Sequence, residues 1–196
     1  MKSREQPLIA SSPAHHPVIP IMTFDYEARF TGSGDPRRCV ISALVPADTY
    51  LSFETVYTSE TITTVRGYDG RELANFRWLM GSAPGQGVVC GRPTHMADLA
   101  IMQGYRKRSR AFDSLDTEGE RARFVWRRVG RGKYDLYTQH DIRIGKYVEA
   151  NQIQESAVGP VYAHFHFSFD HEVLFLDAML ALCVNRWIDE MILHGA

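Results

Sequence analysis

The pattern of apolar residues changes abruptly near the end of the chain. From Val173 to Val184 only Asp177 interrupts a continuous apolar run, so a helix here is apolar on every face. Such a helix is either buried on all sides or embedded in a membrane. The run is about 12 residues long, whereas a membrane span needs about 20. The pattern therefore predicts a buried core helix over about residues 170–194, capped by Ser168 or Asp170.

Short segments of alternating apolar and polar residues precede this helix. In residues 71–79 the apolar positions are Ala74, Phe76 and Trp78, and residues 121–129 repeat the pattern. This period of two is typical of half-buried strands. Turn-forming Gly, Pro and Asp residues recur between the segments about every 8 to 15 residues, which indicates an antiparallel meander.

These two patterns together predict a mainly β (α+β) fold. A helix of about 24 residues spans about 36 Å and is long enough to thread a barrel from rim to rim. We therefore expect a closed antiparallel β-barrel of about 10–12 strands around the helix. A short helical turn is expected over residues 94–101, opened by Pro93 or Thr94. Residues 1–22 contain four prolines and predict a disordered tail before one domain over residues 23–196.

Composition and charge describe an ordinary soluble domain. The chain has 196 residues, a formal net charge of -1 and 23% charged residues, with no overall bias toward nucleic acid or membranes. Its three cysteines are widely separated, and the N-terminus lacks the apolar core of a signal peptide. We therefore expect a cytoplasmic location, with peripheral membrane association or a nuclear location as variants of it.

Several sequence pieces, in this order, carry a resemblance to a known superfamily. They lie at residues 63–78, 109–113, 119–126, 134–137 and 174–177. The chain resembles the tubby-like superfamily, which includes the phospholipid scramblases and the LURP-one-related proteins. It is most similar to a fungal family of uncharacterised tubby-like proteins, a domain of unknown function. The resemblance covers about residues 23–196 and implies a barrel around a central helix.

A local basic segment is the strongest candidate for a binding site. Residues 101–133 carry ten Lys or Arg against four Asp or Glu. If two strands form a hairpin across residues 116–119, their basic side chains converge on one outer face. The candidate residues are Arg106, Lys107, Arg108, Arg110, Arg121, Arg123 and Arg127. Such a face attracts anionic phospholipid headgroups by about 1 kcal/mol per residue, although a charged outer face is most often only solvated.

Other chemistry-bearing residues give weaker signals. His164 and His166 lie two residues apart on one strand face and are weak candidates for a metal site. If the intervening Phe residues face the core, both histidines point to solvent instead. Asp177, inside the apolar helix, is expected to be a structural acid with a hydrogen-bond partner on the barrel wall. No phosphate-binding loop or nucleophile elbow is found, and we expect neither a cofactor nor catalysis.

The sequence therefore favours a non-catalytic binding module. The first hypothesis is peripheral binding of anionic phospholipid or phosphoinositide through the basic barrel face. The resemblance supports it, because some tubby-like relatives bind phosphoinositides through basic surfaces. The second hypothesis is a soluble protein-interaction or scaffold domain. Nucleic acid is a less favoured ligand, since the charge is near neutral and no recognition module is found.

Overall fold

The described residues fold into one 13-stranded antiparallel sheet and one long C-terminal helix. The computed structural model describes residues 24–43, 49–79, 84–104, 108–116, 118–156 and 159–194, so the expected tail at residues 1–22 lies outside them. The strands are β1 (Tyr26–Gly32), β2 (Cys39–Ala43), β3 (Thr49–Tyr57), β4 (Thr61–Arg66), β5 (Glu72–Trp78), β6 (Gly85–Val89), β7 (Arg92–His95), β8 (Ile101–Met102), β9 (Ser109–Leu115), β10 (Arg121–Gly130), β11 (Lys133–Thr138), β12 (Arg143–Ser156) and β13 (Gly159–Phe167). A 3-10 helix, η1 (Met96–Leu99), precedes β8, and the helix α1 (Glu172–His194) ends the fold.

The strand order follows the chain. Each strand pairs with the strands before and after it in the chain, except that β7 and β8 do not pair and form the two edges of the sheet. In addition, β1 pairs with β13. No backbone hydrogen bonds join β7 to β8 in the described part of the chain, so the sheet is not closed by hydrogen bonds. We call this gap the seam. The predicted meander is confirmed, with one strand more than the upper expected number.

The helix lies in the core, as its apolar pattern predicts. Leu174, Ala178, Leu180 and Val184 are each buried, although they face different sides of the helix. Aromatic side chains from widely separated strands cover it. Among them, the Trp78 and Trp187 rings are 4.9 Å apart, the Phe167 and Phe175 rings are 5.2 Å apart, and Trp126 Nε1 donates to the Ala178 carbonyl at 3.1 Å.

The alternation of apolar and polar residues in the sequence correctly predicts which side chains of β5 and β10 face inward. Ala74, Phe76 and Trp78 of β5 are buried, as are Phe124 and Trp126 of β10. Each buried aromatic side chain removes a large apolar area from water, which makes this layer the main source of stability. Within the described residues, we find no helix both long and apolar enough to cross a membrane.

The start of the helix differs from the predicted one. Neither Ser168 nor Asp170 caps it; instead His171 Nδ1 accepts a hydrogen bond from the Leu174 backbone N–H at 3.2 Å. A ring nitrogen can satisfy a free helix amide as a side-chain oxygen does. The expected helical turn near residue 96 is confirmed as η1, but it begins after His95 and has no side-chain cap.

Asp177 ties the helix to the sheet. Ser114 Oγ, on β9, donates a hydrogen bond to Asp177 Oδ2 at 2.7 Å. This partner confirms the interpretation of Asp177 as a hydrogen-bonded acid. Burial raises the pKa of the carboxyl above its ordinary value, while the Ser114 hydrogen bond and the charge of Arg92 act in the opposite direction.

We predict that Asp177→Ala lowers thermal stability by about 1 kcal/mol, because the Ser114 hydroxyl loses its acceptor and a small cavity remains. Thermal unfolding followed by circular dichroism measures the effect. Asp177→Asn is the matched variant, since its amide oxygen still accepts from Ser114. An unchanged melting temperature for the alanine variant would show that this hydrogen bond does not anchor the helix.

The raised pKa of Asp177 also predicts a pH dependence. The folded state holds the proton more tightly than the unfolded state, so the carboxyl favours folding below the ordinary value of 3.8 and opposes it above the raised pKa. The wild type should therefore lose stability relative to Asp177→Asn as the pH rises through this window. Parallel urea titrations across the window check this. A stability difference independent of pH would contradict it.

Candidate functional site

The predicted hairpin of basic strands is present. β9 and β10 pair antiparallel on either side of residues 116–120, and the Asp116 backbone N–H donates to the Glu120 carbonyl at 2.8 Å. Arg121, Arg123 and Arg127 lie on the outer face of β10, opposite to the buried Phe124. This part of the prediction is confirmed by the strand register.

Each of these three arginines has a carboxylate partner. Arg123 binds Asp113 through two hydrogen bonds, of 2.8 and 3.1 Å, and Arg121 lies 3.6 Å from the same carboxylate. The hydrogen bonds from Arg123 hold the pKa of Asp113 below its usual value. Arg127 pairs with Asp141. Two carboxylates therefore offset most of the positive charge of the three arginines on the outer strand face.

Arg110 does not lie on the outer face, so the sequence prediction is wrong at this position. Its side chain is only 3% exposed and points into the core. It donates to Asp189 Oδ1 at 2.7 Å and to Asn185 Oδ1 at 3.1 Å, both on the helix. The reason is strand alternation, because Arg110 shares the inward face of β9 with Phe112.

Asp189 is the centre of this buried polar cluster. Besides Arg110, the Tyr134 hydroxyl donates to Asp189 Oδ2 at 2.8 Å, and Arg128 lies 3.7 Å from the same oxygen. Burial, and then the negative charge of Asp189, raise the pKa of the Tyr134 phenol well above its ordinary value. The carboxylate is thus held by several donors, which offsets the cost of burying it.

A second buried arginine, Arg186, lies on the helix one turn before Asp189. Arg186 donates to the Gly34 carbonyl at 2.9 Å and to Glu149 at 3.1 Å, and its guanidinium lies over the rings of Tyr147 and Tyr162. Burial acts to lower its pKa, but these tyrosines and Glu149 raise it. Arg186 therefore remains a fixed positive charge inside the fold.

Exposed cations collect at the end of the sheet beside the C-terminus of the helix. Arg108, Arg131 and Lys133 are exposed there, and none has a carboxylate within salt-bridge distance among the described residues. We call these three residues the basic end. Arg106 and Lys107, which the sequence also proposed, lie outside the described residues.

A small pocket lies beside the basic end. Its volume is about 180 Å³, and Arg128, Arg131 and Arg186 line it together with Glu149 and acidic helix residues. Gly132 forms part of its wall with a φ of +61°, and a Cβ at this position would lie 2.1 Å from a Glu149 carboxylate oxygen. The positive φ therefore favours glycine in this turn, and any larger residue would displace the Glu149 carboxylate.

The two histidines are half-buried on the outer face of β13. His164 Nδ1 lies 2.9 Å from Glu27 Oε1, and the rings of His164 and His166 stack at 6.2 Å. Burial acts to raise the pKa of Glu27, but hydrogen bonds from His164 and Arg29 lower it overall. The described residues contain no group of three or more His, Cys, Asp or Glu side chains arranged to hold a metal ion.

The sequence interpretation missed most of the polar residues that the fold brings together. Asp189 meets Tyr134, 55 positions away, and Arg186 meets Tyr162, 24 positions away, only because the helix lies inside the sheet. One local signal was present, because Arg110 alternates with Phe112. That spacing places the arginine on the core face once Phe112 is assigned to the core.

Comparison of the chain with protein-family models, curated proteins and solved structures gives no match in any of the three.

We predict that Arg110→Met costs about 3 kcal/mol of unfolding free energy, because Asp189 then stays buried without its closest cation. Arg123→Met is the control on the neighbouring strand. Its side chain is solvent-exposed, so the urea midpoint should hardly change. Urea unfolding of both variants measures the contrast. Equal losses in the two variants would contradict the assignment of Arg110 to the interior.

Proposed function

We propose that the protein is a non-catalytic binding module that attaches peripherally to anionic phospholipid headgroups through its basic end. The observation that carries this proposal is the arrangement of exposed cations. Arg108, Arg131 and Lys133 have no carboxylate partner in the described part of the chain, whereas Arg123 and Arg127 of β10 are each paired. Only unpaired charge is freely available to a phosphate group.

The electrostatic strength of the basic end suits reversible attachment. Each exposed Lys or Arg near an anionic surface contributes about 1 kcal/mol, so three residues give weak binding that decreases with added salt. Arg131 lies at the rim of the adjacent pocket of about 180 Å³, whereas Arg128 and Arg186 behind it are already paired with Asp189 and Glu149. Arginine side chains bind phosphate oxygens in pairs, which supports recognition of a headgroup as well as general attraction.

We also propose that the sheet and helix form a tubby-like barrel in which η1 contacts strands on both sides of the seam. Two observations support this. Helix residues contact side chains from both halves of the strand order, and the chain returns to its start where β1 pairs with β13. Burial of Met96 and Leu99 of η1 supports a closure made by side chains rather than by backbone hydrogen bonds.

A second candidate function is a protein-interaction module without lipid binding. The observation that favours it is the outer face of β10, where carboxylates offset most of the arginine charge. Arg123 and Arg127 are held in fixed ion pairs with Asp113 and Asp141. Such a face offers directional hydrogen bonds and little net charge, and these hydrogen bonds contribute more to protein recognition than to membrane attraction.

Vesicle co-sedimentation tests the lipid proposal. The full chain should sediment with phosphatidylcholine vesicles that contain phosphatidylserine or a phosphoinositide, and not with phosphatidylcholine alone. The double variant Arg131→Ala/Lys133→Ala should reduce partitioning about 30-fold, as expected for the loss of about 2 kcal/mol. The matched control is Arg66→Ala/Arg71→Ala, which removes the same charge at the opposite end of the sheet and should bind as the wild type does.

Three results would overturn the proposal. Absence of binding to every anionic vesicle would leave the protein-interaction function as the better account. Equal losses in the two double variants would show that only net charge matters. A loss confined to an Arg121→Ala/Arg123→Ala variant would move the site to the strand face.

A further inference from the structure

The seam between β7 and β8 contains a cleft that reaches the central helix. Its volume is about 440 Å³, and residues of β6 to β10, η1 and α1 line it. Asp177 lies on its wall, although the surrounding helix is buried. This cleft, which we call the seam cleft, is separate from the basic end and shares no residue with the pocket there.

The strand edges beside the seam are poorly suited to bind another strand. β7 contains Pro93, which has no backbone N–H, and β8 has only two residues. Short edge strands and edge prolines are common protections against strand addition. The seam cleft therefore fits a small molecule better than an extended peptide.

Two arginines at the seam cleft are available to an anionic group. Arg92 is exposed and has no carboxylate within salt-bridge distance among the described residues. Arg121 is loosely held, because Arg123 already takes both oxygens of Asp113. The Arg121 side chain is 80% exposed and lies 3.6 Å from that carboxylate. Both guanidinium groups can turn toward a ligand without leaving a buried charge.

The same cleft also offers negative charge and apolar surface. Ser114 occupies Asp177 Oδ2, and within the described residues no hydrogen bond reaches Asp177 Oδ1. Asp98 on η1 is a second, exposed carboxylate of the lining. Between the charged groups lie the apolar side chains of Val89 and Leu99. A ligand must therefore satisfy charges of both signs and an apolar surface.

We propose that the seam cleft binds a small zwitterion with an apolar side chain, of the α-amino acid class. The ligand carboxylate meets Arg92 and Arg121, its ammonium meets Asp177, and its side chain packs on Val89 and Leu99. A purely anionic ligand is disfavoured because carboxylates line the same cleft, and a purely cationic ligand is repelled by the arginines. Opposite charges that line one cleft select a molecule that carries both.

Isothermal titration calorimetry of the full chain tests this, with L-leucine as the probe. Two analogues each lack one charge: 4-methylpentanoate has no ammonium, and 3-methylbutylamine has no carboxylate. L-leucine should bind saturably at millimolar concentration. Each analogue should bind at least about tenfold more weakly, since a charge-assisted hydrogen bond contributes more than about 1.4 kcal/mol.

Variants assign the binding to the cleft. Arg92→Ala and Asp177→Asn should each weaken L-leucine binding at least about tenfold. Arg92 is exposed, and the asparagine keeps the Ser114 contact, so both variants are expected to fold. Arg71→Ala, which removes an exposed arginine outside the seam cleft, is the control and should bind as the wild type does.

The proposal is overturned if L-leucine shows no saturable binding, or if either analogue binds as tightly as L-leucine. It is also overturned if Arg92→Ala and Asp177→Asn bind like the control while their melting temperatures show that they are folded. Vesicle binding by the basic end depends on other residues. Either proposal can therefore fail while the other holds.

Discussion

The fold depends on the burial of the apolar middle of one helix, which is covered on every face. A helix with apolar side chains on every face gains stability only if the sheet supplies partners on all sides. Aromatic side chains such as Trp78, Trp126 and Phe167 provide that cover from strands far apart in the sheet. The meander and the pairing of β1 with β13 follow from this requirement, since they bring strands from both ends of the chain to the same helix.

Burial of the helix imposes a second condition on its polar residues. Asp177, Arg186 and Asp189 lie on the helix, and each meets a partner from the sheet or its loops. A buried charge without such a partner costs several kcal/mol, so these contacts fix the rotation and depth of the helix in the core. The polar pairs therefore define the position of the helix more precisely than apolar contacts alone would.

The pairing of arginines with carboxylates also determines which surfaces are available to ligands. Inward arginines are used to neutralise helix carboxylates, and the outward arginines of β10 are used by neighbouring aspartates. In the described part of the chain, the basic end and the seam cleft are two of the places where exposed cations lie without a close carboxylate. Both lie where backbone pairing stops, because turns and open edges leave side chains without cross-strand partners. A ligand that binds at these places breaks the fewest contacts that stabilise the fold.

The sequence by itself determined the fold class, the buried helix, the inward faces of β5 and β10 and the hairpin of β9 and β10. These features depend on local periodicity, which can be recognised in the sequence without knowing which residues make tertiary contacts. Only the tertiary structure decided that Arg110 points inward, that Asp113 neutralises Arg123, and that the seam stays open beside Asp177. Those outcomes depend on residues up to 79 positions apart in sequence, whose distances are set by packing around the helix rather than by any local pattern.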